Sequence, residues 1–385
     1  MIIKGKIARG RTAEVYVKGE HIARLDIRSP RRGPGRSPGD EIRLAPGFID
    51  LQVNGFAGVD FNHPDFSAKD MVGACRSLLK TGVTRFCPTL ITAGYNQLER
   101  TIGRILEACN EHPLVRSMVL GIHLEGPYIN PEDGPRGAHP LAHVGRPDWE
   151  KFERLLSRGE GLVRMVTVAP ELPGCLEFIR KAAQIGLVVG LGHCNPEPAD
   201  VDQAVHAGAV ISTHLGNAAH RLLDRSKNYL QKQLAHDRLM ASIICDGLHL
   251  PDYFVKNVVR AKGKSRVVLI TDATAASNAP AGRYSLGGIA LEACDDGALR
   301  LPGTPYLAGS TLTMDRAVGF CARFAGIPLT SAIDMATTNP ARLFAGTGGE
   351  LEEGQRADLV LFRAEKKKIQ IERVYLAGKL MYERS

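Results

Sequence analysis

The sequence predicts an α/β chain: a (β/α)8 TIM-like barrel with a small β-sandwich domain formed from both termini. Three observations predict it. Eight short apolar runs alternate with longer stretches of helical period through the middle of the chain, the pattern of parallel strands joined by crossover helices. Most of those runs end in His, Asp, Glu or an amide, as strands do at the face where a barrel builds its site. Both ends of the chain instead alternate apolar and polar residues over short spans broken by Gly and Pro, as antiparallel strands do. At 385 residues, there is room for a barrel of roughly 250–300 residues and a satellite domain.

Taken in order, Ile2-Ile3, Ile7, Val15, Val17, Ile22, Leu25 and Ile27 mark the first short strands. The barrel strands are then expected at 47–53, 84–89, 119–125, 164–169, 188–193, 210–214, 241–246 and 267–272. Helical patterns fall between them, including 66–80, 97–110, 173–184 and 198–207, and the helix-rich stretch 311–344 closes the ring. The last residues return to strand alternation through Leu359-Val-Leu-Phe, Ile369, Ile371 and Val374-Tyr-Leu. The expected domains are therefore 1–46 plus 346–385 for the β unit and 47–345 for the barrel.

Charge and cysteine usage exclude several function classes. There are 49 Lys and Arg against 41 Asp and Glu, a net +8. The basic residues cluster in the stretch from Arg24 to Arg36, with Arg28, Arg31 and Arg32, and at Lys366 to Lys368. Aromatic residues make up only 6% of the chain, so no stacking platform for nucleic acid accompanies the charge. Both clusters read as solvated loop and strand-edge charge, and no nucleic-acid partner is expected. The eight cysteines show no CxxC spacing, and no apolar run approaches the length of a membrane span. A cytoplasmic protein with reduced thiols and no membrane partner is expected.

The chemistry collects at the strand ends: Gln52 and Asn54, Glu125, His193, His214, Asp246 and His249, and Asp272. Glu125, His193 and His214 form a carboxylate/imidazole set suited to a divalent metal with an open position for water. Asp272 is the expected general base, taking a proton from water at that ion and passing it to a leaving amine. His123 lies two residues before Glu125, hence on the same strand face, and reads as a partner behind the ligands. Asp50 reads as a residue that orients its neighbours. His63, His112, His206, His220 and His236 read as structural or solvated.

The segments Pro46-Gly-Phe-Ile-Asp-Leu-Gln-Val-Asn-Gly, Gly121-Ile-His-Leu-Glu-Gly-Pro-Tyr, Gly192-His-Cys-Asn, Thr213-His-Leu-Gly-Asn-Ala, Asp246-Gly-Leu-His, Thr271-Asp-Ala and Leu307-Ala-Gly-Ser-Thr-Leu-Thr-Met resemble the N-acetylglucosamine-6-phosphate deacetylases of the amidohydrolase superfamily. The resemblance runs in order over nearly the whole chain. It implies Glu125, His193 and His214 as metal ligands and Asp272 as the catalytic acid/base. It also implies substrate contacts from Ala138, His139, Asn217, Ala218, His249, Leu307, Ala308 and Gly309. Arg225 falls where the family places an arginine for the sugar 6-phosphate, in a site completed across a homodimer interface, with a homotetramer as the alternative.

Two departures shape the expectation. The His-x-His that many amidohydrolases carry after the first strand is Gln52-Val53-Asn54 here. Amides are poor ligands beside imidazole, so one divalent ion per subunit is expected, zinc first, with iron, manganese or cobalt as alternatives. Gln52, Asn54 and His123 then form a second-shell or vestigial second-metal position. The segment 219–241 diverges after Arg225, and reads equally as a packed insertion helix (Tyr229, Leu230, Leu234 and Leu239 turned inward) or as a change of specificity. The expected reaction is hydrolysis of the acetamide of N-acetylglucosamine 6-phosphate to glucosamine 6-phosphate and acetate. The alternatives are N-acetylgalactosamine 6-phosphate or another N-acylated amide. A metal-free scaffold is disfavoured because Glu125, His193, His214 and Asp272 are all present.

Overall fold

A computed structural model of the chain describes residues 1–7, 11–29, 41–344, 348–366 and 368–385. Arg31, Arg32, Arg36, Lys367 and the 345/346 boundary lie outside the described residues.

The chain opens with β1 (Ile2–Lys6), β2 (Thr12–Lys18), β3 (His21–Arg28) and β4 (Arg43–Pro46). Next come β5 (Phe48–Val53), the short β6 (Gly55–Phe56) and β7 (Val59–Asp60), β8 (Val83–Ile91), β9 (Ile122–Glu125), β10 (Val163–Val168) and β11 (Val188–Leu191). Then follow β12 (Ile211–Ser212), β13 (Met240–Ile244) and β14 (Val267–Ile270), and the small β15 (Gly282–Leu286), β16 (Ile289–Ala293) and β17 (Leu299–Arg300). The chain closes with β18 (Leu359–Glu365), β19 (Lys368–Leu376) and β20 (Lys379–Glu383).

β5 and β8 to β14 pair in chain order as an eight-stranded parallel sheet. Its two edges meet. Val53 bridges Ala273 in parallel, Asp272 N–H donates to Gln52 O at 3.0 Å, and Asn54 N–H donates to Ala273 O at 2.7 Å. The result is a (β/α)8 barrel, and its closing seam brings Gln52 and Asn54 beside Asp272.

The helices follow from local signals. In helix Ala68–Leu79, Ser67 and Asp70 form a reciprocal capping box, and Met71, Ala74, Cys75, Leu78 and Leu79 form its buried stripe. Helix Pro198–Ala207 begins with Pro at its first position and ends at Gly208, whose φ of +126° suits a residue without Cβ. The ends match the range expected from sequence.

The terminal strands form one seven-stranded sheet in the order β20-β19-β18-β4-β1-β2-β3. The sheet curls over its own core of Ile3, Val15, Ile22, Leu44, Leu359 and Leu361. Its free β3 edge meets the chain just before β18, where His21 bridges Arg356 and Ile22 N–H donates to Gln355 O at 2.8 Å. Val360 and Phe362, on the opposite face of β18, pack with Ile371 and Val374 into the barrel's core. β18 is a continuous apolar run because both of its faces are covered.

Sequence reading did not anticipate β15–β17. Their apolar residues Leu286, Leu291 and Leu299 close a third, small core with Ile91, Ala276 and Ala308. Asp60 holds this sheet by its turn, its Oδ2 accepting from Gly287 N–H at 2.8 Å and Ser285 Oγ at 3.1 Å. Among the described residues, no helix is long and apolar enough to cross a membrane.

Candidate metal centre

Glu125 is the last residue of β9, while His193, His214 and Asp272 stand just beyond β11, β12 and β14. The last three share an unusual backbone. Their φ angles are +51°, +33° and +52°, the left-handed region that costs a non-glycine residue on the order of 1–2 kcal/mol. Barrel closure and the site's own bonds hold them there.

Glu125, His193 and His214 are buried, and their ligand atoms lie within 4.8 Å of one another. His214 Nε2 is 2.9 Å and His193 Nε2 3.3 Å from Glu125 Oε1. Burial alone would push Glu125 up, but the two imidazoles facing it hold its carboxyl well below the usual range. His193 Nδ1–H donates to Pro135 O at 2.9 Å, which leaves the Nε2 lone pair directed into the cluster. His214 Nδ1 is buried with no hydrogen-bond partner. Two imidazoles and a carboxylate converging in this way fit a borderline divalent cation.

Around this set the structure brings several expected residues together. Gln52 Nε2 donates to Glu125 Oε1 at 2.7 Å and to Asp272 Oδ1 at 3.1 Å. Asn54 Nδ2 donates to the same Asp272 oxygen at 2.7 Å. Gln52 thus ties the ligand Glu125 to the carboxylate beside it, and Asn54 adds a second donor to that carboxylate. Burial, then the Glu125 charge, push the Asp272 carboxyl up to about 6. His139 Nδ1 accepts from Thr92 N–H at 3.3 Å and lies 2.8 Å from Thr92 Oγ1. Its Nε2 is 3.7 Å from Glu125 Oε2. Burial keeps this imidazole neutral, its pKa well below the ordinary value. His249 Nδ1 lies 2.6 Å from Asp246 Oδ2, and Asp246 also accepts the backbone N–H groups of Leu248 and His249.

Other expected residues sit further out. His123 lies between Thr167 Oγ1 at 2.8 Å and Thr89 Oγ1 at 3.5 Å, in a polar layer that continues to Thr213. Burial lowers it to about 4. Asn217 Nδ2 donates to His214 O at 3.2 Å, and Ala218 turns with φ +46°. Ala138 and Ala308 pack with the β15–β17 core, and Leu307, next to Ala308 in sequence, is half-buried. Gly309 has φ +63°, and a Cβ there would meet Thr274 Cγ2 at 2.4 Å. Arg225 is exposed, on a loop that Asp224 tightens by accepting from the N–H groups of Ser226 and Lys227.

The divergent segment packs down. Helix Tyr229–Ala235 buries Tyr229, Leu239 is buried beyond it, and Leu230 and Leu234 lean on the barrel core. His220 has a structural role, as expected. Its Nε2 is 3.0 Å from Glu132 Oε2 and its Nδ1 3.3 Å from Tyr229 Oη, so it fastens this segment to the loop that carries Pro135 and His139. Sequence reasoning missed Pro135 and Thr92, which orient imidazoles through a carbonyl and a hydroxyl that carry no motif. It did single out Asp50, which accepts Thr271 Oγ1 at 2.5 Å and is pushed up to about 7 by burial.

The closed barrel, the terminal sheet and the buried ligand set define a class. The chain belongs to the amidohydrolase family, whose profile matches residues 43–381. The family is metal-dependent, and the buried Glu/His/His set is in place here. Within it, the chain is similar to N-acetylglucosamine-6-phosphate deacetylases: it is 35% identical to the Bos taurus enzyme over 88% of this chain and 83% of that one. It is 32% identical to the N-acetylgalactosamine-6-phosphate deacetylase of Escherichia coli over 89% of this chain and 88% of that one. Among solved structures, the Mycobacterium smegmatis N-acetyl-D-glucosamine-6-phosphate deacetylase in complex with N-acetyl-D-glucosamine-6-phosphate matches with a TM-score of 0.85 at 28% identity, over 96% of this chain and 94% of that one.

Proposed function

We propose that this chain hydrolyses the acetamide of N-acetylglucosamine 6-phosphate, releasing acetate and glucosamine 6-phosphate. The observation that carries the reading is the Glu125, His193 and His214 cluster tied through Gln52 to a carboxylate, Asp272, of near-neutral pKa. Glu125, His193 and His214 would hold one divalent ion, zinc first. When bound, it supplies Lewis-acid polarisation of the amide and makes water acidic enough to attack near neutral pH.

The chain's own groups do the rest. Asp272 Oδ1 is occupied by the Gln52 and Asn54 amides, so Oδ2 takes the proton from attacking water and returns it to the leaving nitrogen. His139, neutral and with Nδ1 turned to Thr92, presents its Nε2–H as a donor to the amide oxygen as charge builds there. Asp246 fixes His249 with Nδ1–H inward, leaving Nε2 to accept a sugar hydroxyl. Asn217, Ala218, Ala138 and the 307–309 strip line the substrate, and Arg225 binds its phosphate with a guanidinium fork.

The loop carrying Arg225 also leaves Leu222 92% exposed, which supports burial against a second copy in a homodimer. Eight free thiols, seven of them buried, suit a reducing cytoplasm. The division into 1–46 plus 346–385 and 47–345 is supported by β4 ending at Pro46 and β5 beginning at Phe48. The test is acetate release from N-acetylglucosamine and N-acetylgalactosamine, each with and without 6-phosphate, after chelation and metal re-addition. Preference for N-acetylglucosamine 6-phosphate is expected. Release from none of the four overturns the reading, and preference for the galacto epimer moves the substrate to the alternative.

A further inference from the structure

A cavity lies outside the barrel, between helix Met314–Phe324, strand β19 and Arg384 just beyond β20 of the terminal sheet. Its volume is about 550 Å³, within the range of small-molecule sites, which favour such junctions between units. None of its lining residues belongs to the metal centre. Six of them are cations: Lys80, Arg316, Arg323, Lys366, Lys368 and Arg384. Among the described residues, none of the six is within ion-pair distance of a carboxylate. Part of the Lys366–Lys368 run, expected to be merely solvated, thus lines a concave surface shared with cations more than 280 positions away in sequence at Lys80.

The wall is ordered by stacking. The Arg323 guanidinium lies 4.9 Å from the ring centres of both Phe320 and Phe324, and Arg316 lies 5.6 Å from Phe320. Guanidinium groups held over aromatic rings can keep N–H groups available, which suits phosphate oxygens. One group in the wall has the opposite need. Asp315 lines the cavity, and its Oδ1 is buried without a hydrogen-bond partner. A buried carboxylate oxygen lacking a donor is costly, and a ligand hydroxyl would satisfy it.

We propose that this cavity binds a small phosphorylated polyhydroxy compound, its phosphates on the Lys and Arg side chains and a hydroxyl on Asp315 Oδ1. Nucleotides and sugar bisphosphates share this chemistry. The cavity is larger than inorganic phosphate alone needs, and with Phe320 as its one lining aromatic residue it offers no run of stacking surfaces for a polymer. The site does not depend on the assigned reaction.

Titration calorimetry on the full-length, metal-loaded chain tests it with three probes: ADP, fructose 1,6-bisphosphate and pyrophosphate. Saturable binding of ADP or the bisphosphate is expected, and which of them binds tighter identifies the source. In the Arg316→Glu/Lys368→Glu variant, affinity for that probe is expected to fall at least about tenfold, since each lost charge-assisted contact is worth roughly that factor. Any binding at the metal centre survives in this variant and is subtracted. A control with the same charge change at exposed Arg260→Glu/Lys264→Glu is expected to stay within about twofold, because exposed charges are screened over about 10 Å. Asp315→Asn is expected to weaken ADP or the bisphosphate more than pyrophosphate. Thermal melts confirm that each variant is folded. No saturable binding, equal affinity in the cavity variant, or equal loss in the control overturns the site. Equal effects of Asp315→Asn on all three probes overturn the hydroxyl contact.

Discussion

The Nε2 atoms of His193 and His214 face each other at 3.1 Å. The Pro135 carbonyl forces the proton of His193 onto Nδ1, so its Nε2 offers a lone pair towards the other ring. A cation between the rings and Glu125 resolves this convergence. Chelation is therefore expected to abolish acetate release and lower the melting temperature, with recovery of both on adding zinc, because a ligand bound only by the folded chain stabilises it by mass action. Full turnover by chain shown by elemental analysis to be metal-free would contradict the assignment.

Asp272 is expected to carry the proton. Asp272→Asn keeps the bonding geometry with Gln52 and Asn54 nearly isosteric, so metal content should persist while kcat falls by about 10²–10⁴. Burial and the Glu125 charge push its carboxyl up to about 6, so the proton-accepting form is lost as pH falls through that value. A bound cation would lower it from there. The acid limb of kcat/KM is expected at or below about pH 6, and a pH–rate profile with no acid limb would remove Asp272 from this role.

Gln52 offers a finer check on the same carboxylate. Gln52→Glu places a negative charge against Glu125 and Asp272 in place of an amide donor. Like charge disfavours ionisation, so the acid limb should move to higher pH while Gln52→Ala leaves it closer to wild type. Metal stoichiometry measured alongside shows whether the new carboxylate has recruited a second ion.

Arg225→Ala is expected to raise KM for N-acetylglucosamine 6-phosphate by about 10–100-fold, since charge-assisted contacts are worth roughly 1.5–3 kcal/mol. The unphosphorylated sugar should be unaffected. Equal damage to both would show that Arg225 does not read the phosphate.

Lys262 is 1% exposed, and its ammonium donates to the carbonyls of Gln233, His236 and Leu239 at 2.5, 2.9 and 2.7 Å. It ties down the end of the segment that begins near Arg225. Lys262→Met leaves those carbonyls without a donor and is expected to cost about 2–4 kcal/mol, read as a drop in denaturant midpoint. Burial lowers Lys262 to about 8 in the folded chain, below the unfolded value near 10.4. The unfolded chain then binds the extra proton between these values, so wild-type stability relative to the variant grows as pH rises from about 8 towards about 10.4 and is lost again as pH falls back across that window.

Much of the fold was legible because it rests on local periodicity. Each barrel strand falls inside or beside an apolar run, and helix Pro198–Ala207 carries its start and stop in Pro198 and Gly208. The β15–β17 sheet was not legible. Residues 282–284 are exposed or only half-buried, so no alternation marks that strand, and its anchor at Asp60 lies more than 220 residues earlier in the chain.

By itself, the sequence determined the barrel, the terminal sheet and the polar residues at the strand ends, since burial on one face or two leaves a pattern in neighbouring residues. Only the tertiary structure decided how those residues work together. The proton on His193 is set by Pro135, 58 residues away, and Asp272 is held by Asn54 across 218 residues. The basic cavity likewise assembles from helix ends and strands that are distant in the chain. Hydrogen-bond direction and charge pairing depend on which atoms closure brings within about 3 Å, and periodicity along a chain carries no record of that.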